Sequence, residues 1–321
     1  MIPFEFDFLR AETPEEAVTA WRAAANDKQT PVYFGGGTEL ITLARDGRQR
    51  FDLAIDYKAI PQALVAGRSG DDYRFGSAVR LTELSDRHTF GLLGACSVGV
   101  ADRTTRNSIT LGGNICGMLP YREAVLPFLL LDARVQVAST DGVRWVELAD
   151  VFDMRLRLEP GELAVAWSVA GALVQALGPV ADAIVDTSSY GAVTAAGAGD
   201  GGRWFYYRRT ADARVDYPLA TVVVAKIDGR VRLALSGVWG YAARARRAET
   251  ILNQNDALAA ALQSGQLGAI DEPQLRQLAA NALDAEGRSW RSDQRGAGDY
   301  RRELAIQAIC AGLRSLAGER E

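Results

Sequence analysis

Three consecutive glycines and a threonine, Gly35-Gly36-Gly37-Thr38, follow directly on the short apolar stretch of residues 31–34. Glycine tolerates positive φ and lets a backbone approach an anion closely. Where such a loop leads into a helix, its N–H groups and the helix N-terminus form a cradle for phosphate, to which the Thr38 hydroxyl adds a donor. The stretch matches neither G-x-G-x-x-G nor the P-loop pattern, so a plain tight turn is the alternative.

A second glycine pair lies among polar side chains, in the stretch Arg106-Asn107-Ser108-Ile109-Thr110-Leu111-Gly112-Gly113-Asn114. A dinucleotide carries a pyrophosphate and two sugars, and two glycine loops from different subdomains are suited to clamp it. The polar side chains of the second loop would supply hydrogen-bond donors around the glycines. On these residues alone, a turn that hydrogen-bonds to itself is the alternative.

The rest of the sequence offers no acid–base pair, nucleophile or metal cluster that could act at the loops. The cysteines Cys96, Cys116 and Cys310 are far apart, and His88 is the one histidine. An iron–sulfur cluster needs four thiolates, and a structural zinc site needs several Cys or His ligands. We therefore expect no metal in this chain and predict that a bound cofactor supplies any chemistry at the loops.

Composition narrows the class of protein. The 321 residues, 48% of them hydrophobic and 24% charged, are typical of a globular protein of two or three domains. A net charge of −4 argues against nucleic acid as the main partner, because binding phosphate backbones needs a concentrated basic face. The first residues lack a signal-peptide pattern, and the apolar residues 163–180 are too interrupted for a membrane span. We therefore expect a cytoplasmic protein with reduced thiols.

The first glycine loop lies within a predicted strand–loop–helix–strand unit. Thr13 and Pro14 predict the start of a helix over residues 12–26, with Thr13 as its N-cap. Residues 31–34 and 51–56 predict strands before and after the loop and its helix, an order that predicts a small parallel sheet. Further predicted elements are strands at 73–79 and 134–138, another strand after the turn at 158–163, and a helix over 81–92.

The second half of the chain has a different character. Residues 169–203 are rich in alanine and glycine, which predicts an inter-domain segment or an insertion with a flexible loop. Two apolar strands then meet at Asp228-Gly229, a typical hairpin turn. Residues 243–321 are predicted to be mainly helical.

The loops and the sequence around them resemble the FAD-binding medium subunit of the molybdenum hydroxylases, the family of xanthine dehydrogenase and carbon monoxide dehydrogenase. The resemblance covers most of the chain, and its most diagnostic part is the second glycine loop. The stretches that carry it follow in the expected order: Phe4 to Ala17, Gly35 to Leu40, Phe75 to Leu81, Arg106 to Asn114, Leu129 to Ala133, Pro160 to Leu163 and Asp293 to Arg302.

The resemblance implies an α+β fold. A two-subdomain FAD-binding domain of the vanillyl-alcohol-oxidase/PCMH-like type would be followed by a smaller α/β C-terminal domain. The FAD-binding domain would span residues 1–175, with subdomains at 1–57 and 58–175. A linker or insertion at 176–203 would lead to a flavoprotein C-terminal domain at 204–321.

The resemblance also implies which residues hold FAD. The first loop would bind the pyrophosphate through backbone N–H groups, and the second loop would hold the other side of the diphosphate and the ribityl chain. The flavin ring would lie near Val100, Ala101, Leu163, Tyr207 and Arg209. The implied cofactor contacts are Gly35, Gly36, Gly37, Thr38, Glu39, Leu40, Val100, Ala101, Arg106, Asn107, Thr110, Gly112, Gly113, Asn114, Glu123, Leu163, Tyr207 and Arg209. No catalytic side chain is implied, because the chemistry is the flavin's.

The implied activity is electron transfer in a heteromeric oxidoreductase. Electrons would pass from [2Fe-2S] clusters on a small partner subunit, through FAD, to NAD or another acceptor. A large subunit with a molybdenum cofactor would oxidise the substrate. The sequence departs from the family pattern in having Glu123 near a usual Asp, Arg209 for a frequent Lys, and a long 169–203 segment. A self-contained flavin oxidase, or a non-catalytic assembly subunit that has lost flavin, are the alternatives.

Overall fold

The computed structural model describes residues 2–87, 89–178, 192–198, 202–213, 215–267 and 270–318. The chain packs into two compact units, each assembled from separate stretches. The first unit comprises Met1–Leu84, Asp102–Met118 and Asp132–Gly171. The second unit comprises Ser85–Ala101, Leu119–Leu131 and Ala172–Glu321. The domain boundaries implied by the family resemblance stay a prediction.

Strands and helices alternate irregularly along the chain. The strands are β1 Asp7–Arg10, β2 Pro31–Phe34, β3 Leu53–Asp56, β4 Ala66–Ser69, β5 Asp72–Gly76, β6 Arg134–Ser139, β7 Gly142–Glu147, β8 Phe152–Asp153, β9 Arg155–Leu156, β10 Leu163–Ala170, β11 Ala192–Ala198, β12 Gly202–Thr210, β13 Pro218–Ile227, β14 Arg230–Ser236 and β15 Ala243–Arg244. The helices are α1 Pro14–Asn26, α2 Thr38–Arg45, α3 Leu81–Asp86, α4 Gly91–Val98, α5 Arg103–Arg106, α6 Leu111–Cys116, α7 Leu126–Leu130, α8 Leu148–Val151, α9 Gly171–Leu177, α10 Arg246–Asn253, α11 Asp256–Ser264, α12 Glu272–Asp284 and α13 Gly298–Leu316. Within the described residues, none of these helices has the length and apolar character needed to cross a membrane.

The first unit opens with the predicted parallel sheet, which has the strand order β1-β3-β2. Both outer strands run parallel to β3, so the predicted strand–loop–helix–strand order is confirmed. Helix α1 begins as predicted, because the Thr13 hydroxyl accepts the N–H of Glu16 at 3.1 Å. Successive residues of β3 point to opposite faces, and both Ala54 and Ile55 are fully buried. The sheet is therefore packed on both sides, which fixes the strand ends that carry the first loop.

A second sheet of the first unit has the order β4-β5-β10-β6-β7. Its neighbouring strands are antiparallel throughout. The predicted strand over residues 73–79 ends at Gly76, where a Cβ would lie 2.1 Å from the Ala63 carbonyl oxygen. Beyond Gly76, the Ser77 N–H still donates to the Val165 carbonyl of β10 at 2.8 Å, while the carbonyls of Ser77 and Val79 accept from the second glycine loop.

The second unit is built on a five-stranded sheet with the order β11-β12-β13-β14-β15. The predicted hairpin joins β13 to β14, and its Asp228 and Gly229 have φ of 50° and 74°. Two positive φ values are those of a type I′ turn. Helices α10 to α13 confirm the predicted helical C-terminal part. Of the predicted linker, residues 179–191 and 199–201 lie outside the described residues, and Ala192–Ala198 forms β11.

The prediction of one helix over residues 81–92 is wrong. Helix α3 ends at Asp86, and α4 begins at Gly91. Phe90 precedes α4 with φ −143° and ψ 101°, an extended conformation that a continuous helix cannot contain. His88 lies outside the described residues.

Candidate functional site

The two predicted glycine loops lie against each other in the first unit. A Cβ at Gly36 would lie 1.7 Å from the carbonyl oxygen of Ser108. A Cβ at Gly35 would lie 2.8 Å from Thr110 Oγ1 and 2.5 Å from the hydroxyl of Tyr57. Such distances leave no room for a side chain, so glycine at both positions is what allows the loops to touch. The structure thus brings into contact the two loops that the sequence predicts to hold one ligand.

The first loop leads into α2 through a left-handed residue. Gly37 is the N-cap of α2 and has φ of +72°, a conformation that favours glycine. The first helical bond runs from the N–H of Ile41 to the carbonyl of Gly37, at 2.8 Å. The N–H groups of residues 38–40 precede that bond, and α2 has no side-chain cap. Together with the positive end of the helix dipole, these N–H groups suit an anion.

The second loop differs, because its N–H groups have acceptors within the first unit. Leu111 N–H donates to the Val79 carbonyl (2.8 Å), Gly112 N–H to the Ser77 carbonyl (2.9 Å), Gly113 N–H to Thr110 Oγ1 (3.1 Å) and Asn114 N–H to the Thr110 carbonyl (2.9 Å). Thr110 is thereby the N-cap of α6. These bonds anchor the second loop to the chain that leaves β5.

Gly113 is the glycine of the second loop that faces open space. It is exposed, and a Cβ there would meet Thr110 Oγ1 at 3.1 Å and no other described atom outside its own helix within 4 Å. Gly112, by contrast, is buried, and its Cβ would lie 2.7 Å from that of Ser77. The two glycines therefore have different uses: Gly112 allows packing, whereas Gly113 leaves room for a ligand.

Two residues at the end of β3, Tyr57 and Lys58, hold the loops and were missed by the sequence analysis. The hydroxyl of Tyr57 lies beside Gly35, and burial raises the pKa of Tyr57 against the opposing effect of a hydrogen bond with Thr110. Lys58 Nζ donates to the Gly35 carbonyl at 2.9 Å and lies 2.7 Å from Asp56 Oδ1. The available signal was a lysine, one of three in the chain, directly after the strand that follows the first loop.

Glu39, predicted as a cofactor contact, is used within the protein. The N–H of Met118 donates to both of its carboxylate oxygens, each at 3.0 Å. A Cβ at Gly117 would lie 2.7 Å from Glu39 Oε2. Glu39 therefore ties the first turn of α2 to the chain just after α6. Its predicted contact with FAD stays a prediction.

The remaining predicted residues of the first unit occupy varied surroundings. Arg106 is buried, whereas Asn107 is exposed, and Asn114 is partly buried at the first turn of α6. Leu40 is partly buried in α2, and Leu163 belongs to a hydrophobic core cluster at the start of β10. Among the described residues, no group of three or more His, Cys, Asp or Glu is placed to hold a metal ion.

Five predicted residues lie in the second unit: Val100, Ala101, Glu123, Tyr207 and Arg209. Ala101 has a φ of 48°, a left-handed conformation that is uncommon for alanine. Tyr207 and Arg209 are partly buried residues of β12.

Glu123 is buried in the second unit against an arginine that the sequence analysis did not identify. Its Oε1 lies 3.6 Å from Arg208 Nε, and both side chains are almost wholly inaccessible. Burial raises the pKa of Glu123, and the Arg208 charge opposes that rise. The position of Glu123 beside a flavin stays a prediction, as do those of the other four residues in this unit.

Comparison with known proteins bears on these loops. A family model described as the FAD binding domain in molybdopterin dehydrogenase matches residues 4–169. The xanthine dehydrogenase FAD-binding subunit of Escherichia coli O157:H7 is 30% identical over 149 residues, 44% of this chain and 50% of that protein. The nicotinate dehydrogenase FAD-subunit of Eubacterium barkeri is 27% identical over 154 residues, 46% of this chain and 51% of that protein. The chain thus spans about half the length of the curated relatives it matches.

Solved structures match over almost the whole chain. A carbon monoxide dehydrogenase from Hydrogenophaga pseudoflava, lacking the Mo-pyranopterin moiety of its molybdenum cofactor, has a TM-score of 0.76 at 22% identity and covers 99% of both chains. Quinoline 2-oxidoreductase from Pseudomonas putida 86 has a TM-score of 0.73 at 20% identity and covers 98% of both chains. At these identities the likeness concerns the fold alone, and it confirms the predicted α+β class.

Proposed function

The chain belongs to the family of FAD-binding domains in molybdopterin dehydrogenases, and we propose that it is the FAD-carrying electron-transfer subunit of a multi-subunit molybdenum-containing dehydrogenase. The contact between Gly36 and Ser108 is the observation that best supports this proposal. It brings the N-terminus of α2 next to the capped start of α6 within one unit. The uncapped N-terminus of α2 favours an anion, and the open space at Gly113 beside it leaves room for a ligand with two linked phosphates.

The residues of the loop pair fit the diphosphate of FAD in complementary ways. On the first loop, the N–H groups of residues 38–40 would bind phosphate oxygens, because the helix gives them no acceptor. On the second loop, the N–H groups have acceptors, so its contribution would be the space at Gly113 and the side chains of Asn107 and Asn114. Bound FAD would supply the redox chemistry, while the chain binds and orients it.

The proposed partners follow from the same family membership. A small subunit with [2Fe-2S] clusters would deliver electrons, and a large subunit with the molybdenum cofactor would oxidise the substrate. NAD is the acceptor that we propose for the electrons. The names of the relatives state different substrates, xanthine and nicotinate, so the substrate of this chain's complex is left open.

Flavin retention tests the central proposal. The visible absorption spectrum of the purified chain is recorded before and after mixing with FAD and desalting, and circular dichroism establishes that the chain is folded. Retained flavin bands are the expected result. A folded chain that retains no flavin, either alone or co-expressed with its two partner subunits, would contradict the proposal and favour the assembly subunit.

The acceptor is tested on the flavin-loaded chain under anaerobic conditions. Electron transfer between NAD and the flavin is reversible in principle, so NADH should bleach the flavin absorption. Reduction by dithionite is the control and shows that the bound flavin can be reduced. Bleaching by dithionite without bleaching by NADH would replace NAD with another acceptor and leave the FAD assignment intact.

A further inference from the structure

Lys58 contacts the first glycine loop on its carbonyl side. Its Nζ donates to the Gly35 carbonyl at 2.9 Å and to the Phe34 carbonyl at 3.4 Å. The ammonium also lies 4.9 Å from the centroid of the Phe34 ring, within range of a cation–π contact. One side chain therefore holds two successive peptide groups where β2 ends and the loop begins.

The orientation of those carbonyls fixes the orientation of the next N–H groups. In a trans peptide the C=O and the following N–H point in opposite directions. With the Gly35 carbonyl directed at Lys58, the N–H of Gly36 points away from Lys58. The same relation applies to the Phe34 carbonyl and the N–H of Gly35. Glycine peptides rotate more freely than others, and the Lys58 hydrogen bonds restrict that rotation from the carbonyl side.

Lys58 is itself held on a fixed support. Asp56 Oδ1 lies 2.7 Å from the Lys58 Nζ and also accepts the backbone N–H of Lys58 at 2.9 Å. Asp56 is the last residue of β3, the middle strand of the parallel sheet, and its side chain is 12% exposed. The ion pair balances the lysine charge, so the role of Lys58 lies in directing hydrogen bonds rather than in adding net positive charge.

We propose that Lys58 is a positioning residue of the cofactor site: it draws in the carbonyls of Phe34 and Gly35 and thereby fixes the backbone that leads to the N–H groups of residues 38–40, which would bind the diphosphate. The inference rests on the proposed FAD-binding function and adds a residue to it. Lys58 acts through the loop backbone rather than by touching the ligand. Removing the Lys58 ammonium should therefore weaken the binding of every ligand that carries the diphosphate.

Dissociation constants for FAD and for ADP test the inference, with binding followed by flavin fluorescence and by calorimetry. Lys58→Met keeps the aliphatic stem and removes all donors, so we expect affinity for both ligands to fall about tenfold, the equivalent of one lost charged hydrogen bond. Lys58→Arg keeps the donors and should restore most of the affinity. Lys226→Met is the matched control, because Lys226 Nζ also donates to a backbone carbonyl, that of Leu262 at 3.0 Å, in the second unit.

The outcomes separate this inference from the proposed function. If the wild-type chain binds FAD and Lys58→Met binds both ligands with unchanged affinity, only the role of Lys58 is overturned. The same holds if Lys58→Met has a lower melting temperature without weaker binding. A weakened FAD affinity with unchanged ADP affinity would also overturn it, since the diphosphate is common to both. A folded wild-type chain that binds neither ligand, with or without its partners, would overturn both proposals. If Lys58→Met does not fold, Lys58→Gln, which is shorter and uncharged, is expected to show the same loss of affinity.

Discussion

Gly36 lies so close to Ser108 that a Cβ on the glycine would be 1.7 Å from the serine carbonyl oxygen. Each residue belongs to a glycine loop that is a weak signal by itself. Because of the contact, the two loops form one continuous surface. The N–H groups at the start of α2 lie on the first loop, and the exposed Gly113 lies on the second. Small changes at these glycines should therefore separate effects on loop packing from effects on ligand binding.

Gly36→Ala should disturb the packing of the loops. The added methyl group collides with backbone, which cannot move aside as a flexible side chain would, and such overpacking costs about 1–3 kcal/mol. We expect a melting temperature several degrees lower and a loss of flavin retention, measured by thermal unfolding and absorption. Gly240→Ala is the control, since a Cβ there meets no described atom within 4 Å. A Gly36→Ala chain with normal stability and flavin content would contradict the loop contact.

Gly113→Ala should affect ligand binding while leaving the fold intact. The new methyl group would lie 3.1 Å from Thr110 Oγ1, a tight contact that a small shift relieves, and would meet no other described atom outside its own helix within 4 Å. Alanine is also better than glycine within a helix. A diphosphate at this place would meet the methyl group, so FAD affinity should fall about tenfold or more, because overpacking costs about 1–3 kcal/mol. Titration with FAD and thermal unfolding of the free chain measure the two effects. Normal affinity would place the ligand elsewhere on the second loop.

The frame of the site could be predicted from local sequence. The Thr13 cap of α1 and the type I′ turn at Asp228-Gly229 each depend on residues within a few positions of each other. The parallel order of β2, α2 and β3 likewise follows from the pattern of apolar stretches around the first loop. The helix predicted over residues 81–92 is wrong because nothing in its composition signalled the extended backbone at Phe90.

The contacts that shape the site could not be predicted in the same way. Glu39 and Met118 are 79 residues apart, and no local pattern pairs a carboxylate with one distant N–H. Glu123 and Arg208 form a buried pair across a similar span, although each alone resembles a surface residue. The role of Lys58 depends on which way two carbonyls point, and the sequence does not encode that directly.

Glu39→Ala should loosen the chain after α6. The N–H of Met118 would lose its acceptor, at a cost of about 0.5–1.5 kcal/mol for a typical hydrogen bond. We expect faster amide hydrogen exchange at Met118, with a small loss of overall stability. Glu39→Gln keeps one acceptor oxygen and should exchange at nearly the wild-type rate. Equal exchange rates in Glu39→Ala and the wild-type chain would show that this hydrogen bond does not protect the amide.

The C-terminal stretch that resembles the family's closing motif contains a charge cluster in the second unit, in which Arg301 is buried and Asp293 is partly buried. Asp293 Oδ1 accepts hydrogen bonds from Arg301 Nη2 at 2.6 Å and from the Arg295 N–H at 2.9 Å. Its Oδ2 accepts from Arg291 Nε at 2.8 Å and from the Tyr121 hydroxyl at 3.2 Å. Burial by itself raises the pKa of Asp293, but these hydrogen bonds and the Arg301 charge outweigh it and hold the pKa well below its usual range.

Asp293→Asn should therefore destabilise the chain at neutral pH and much less in acid. A carboxyl whose pKa is lower in the native than in the unfolded state stabilises the fold at pH above the unfolded-state pKa of about 3.9. This stabilisation is lost as the pH falls towards the native-state pKa. At pH 7 the variant should lose about 1.5–3 kcal/mol, as for hydrogen bonds to a charged group. Urea unfolding at a series of pH values measures the free energy of unfolding of both proteins. The difference between Asp293→Asn and wild type should narrow as the pH falls below that unfolded-state pKa. Asp299→Asn, at an exposed position in the first turn of α13, is the control. A difference between Asp293→Asn and wild type that stays constant into acid would mean that the Asp293 charge does not stabilise the fold.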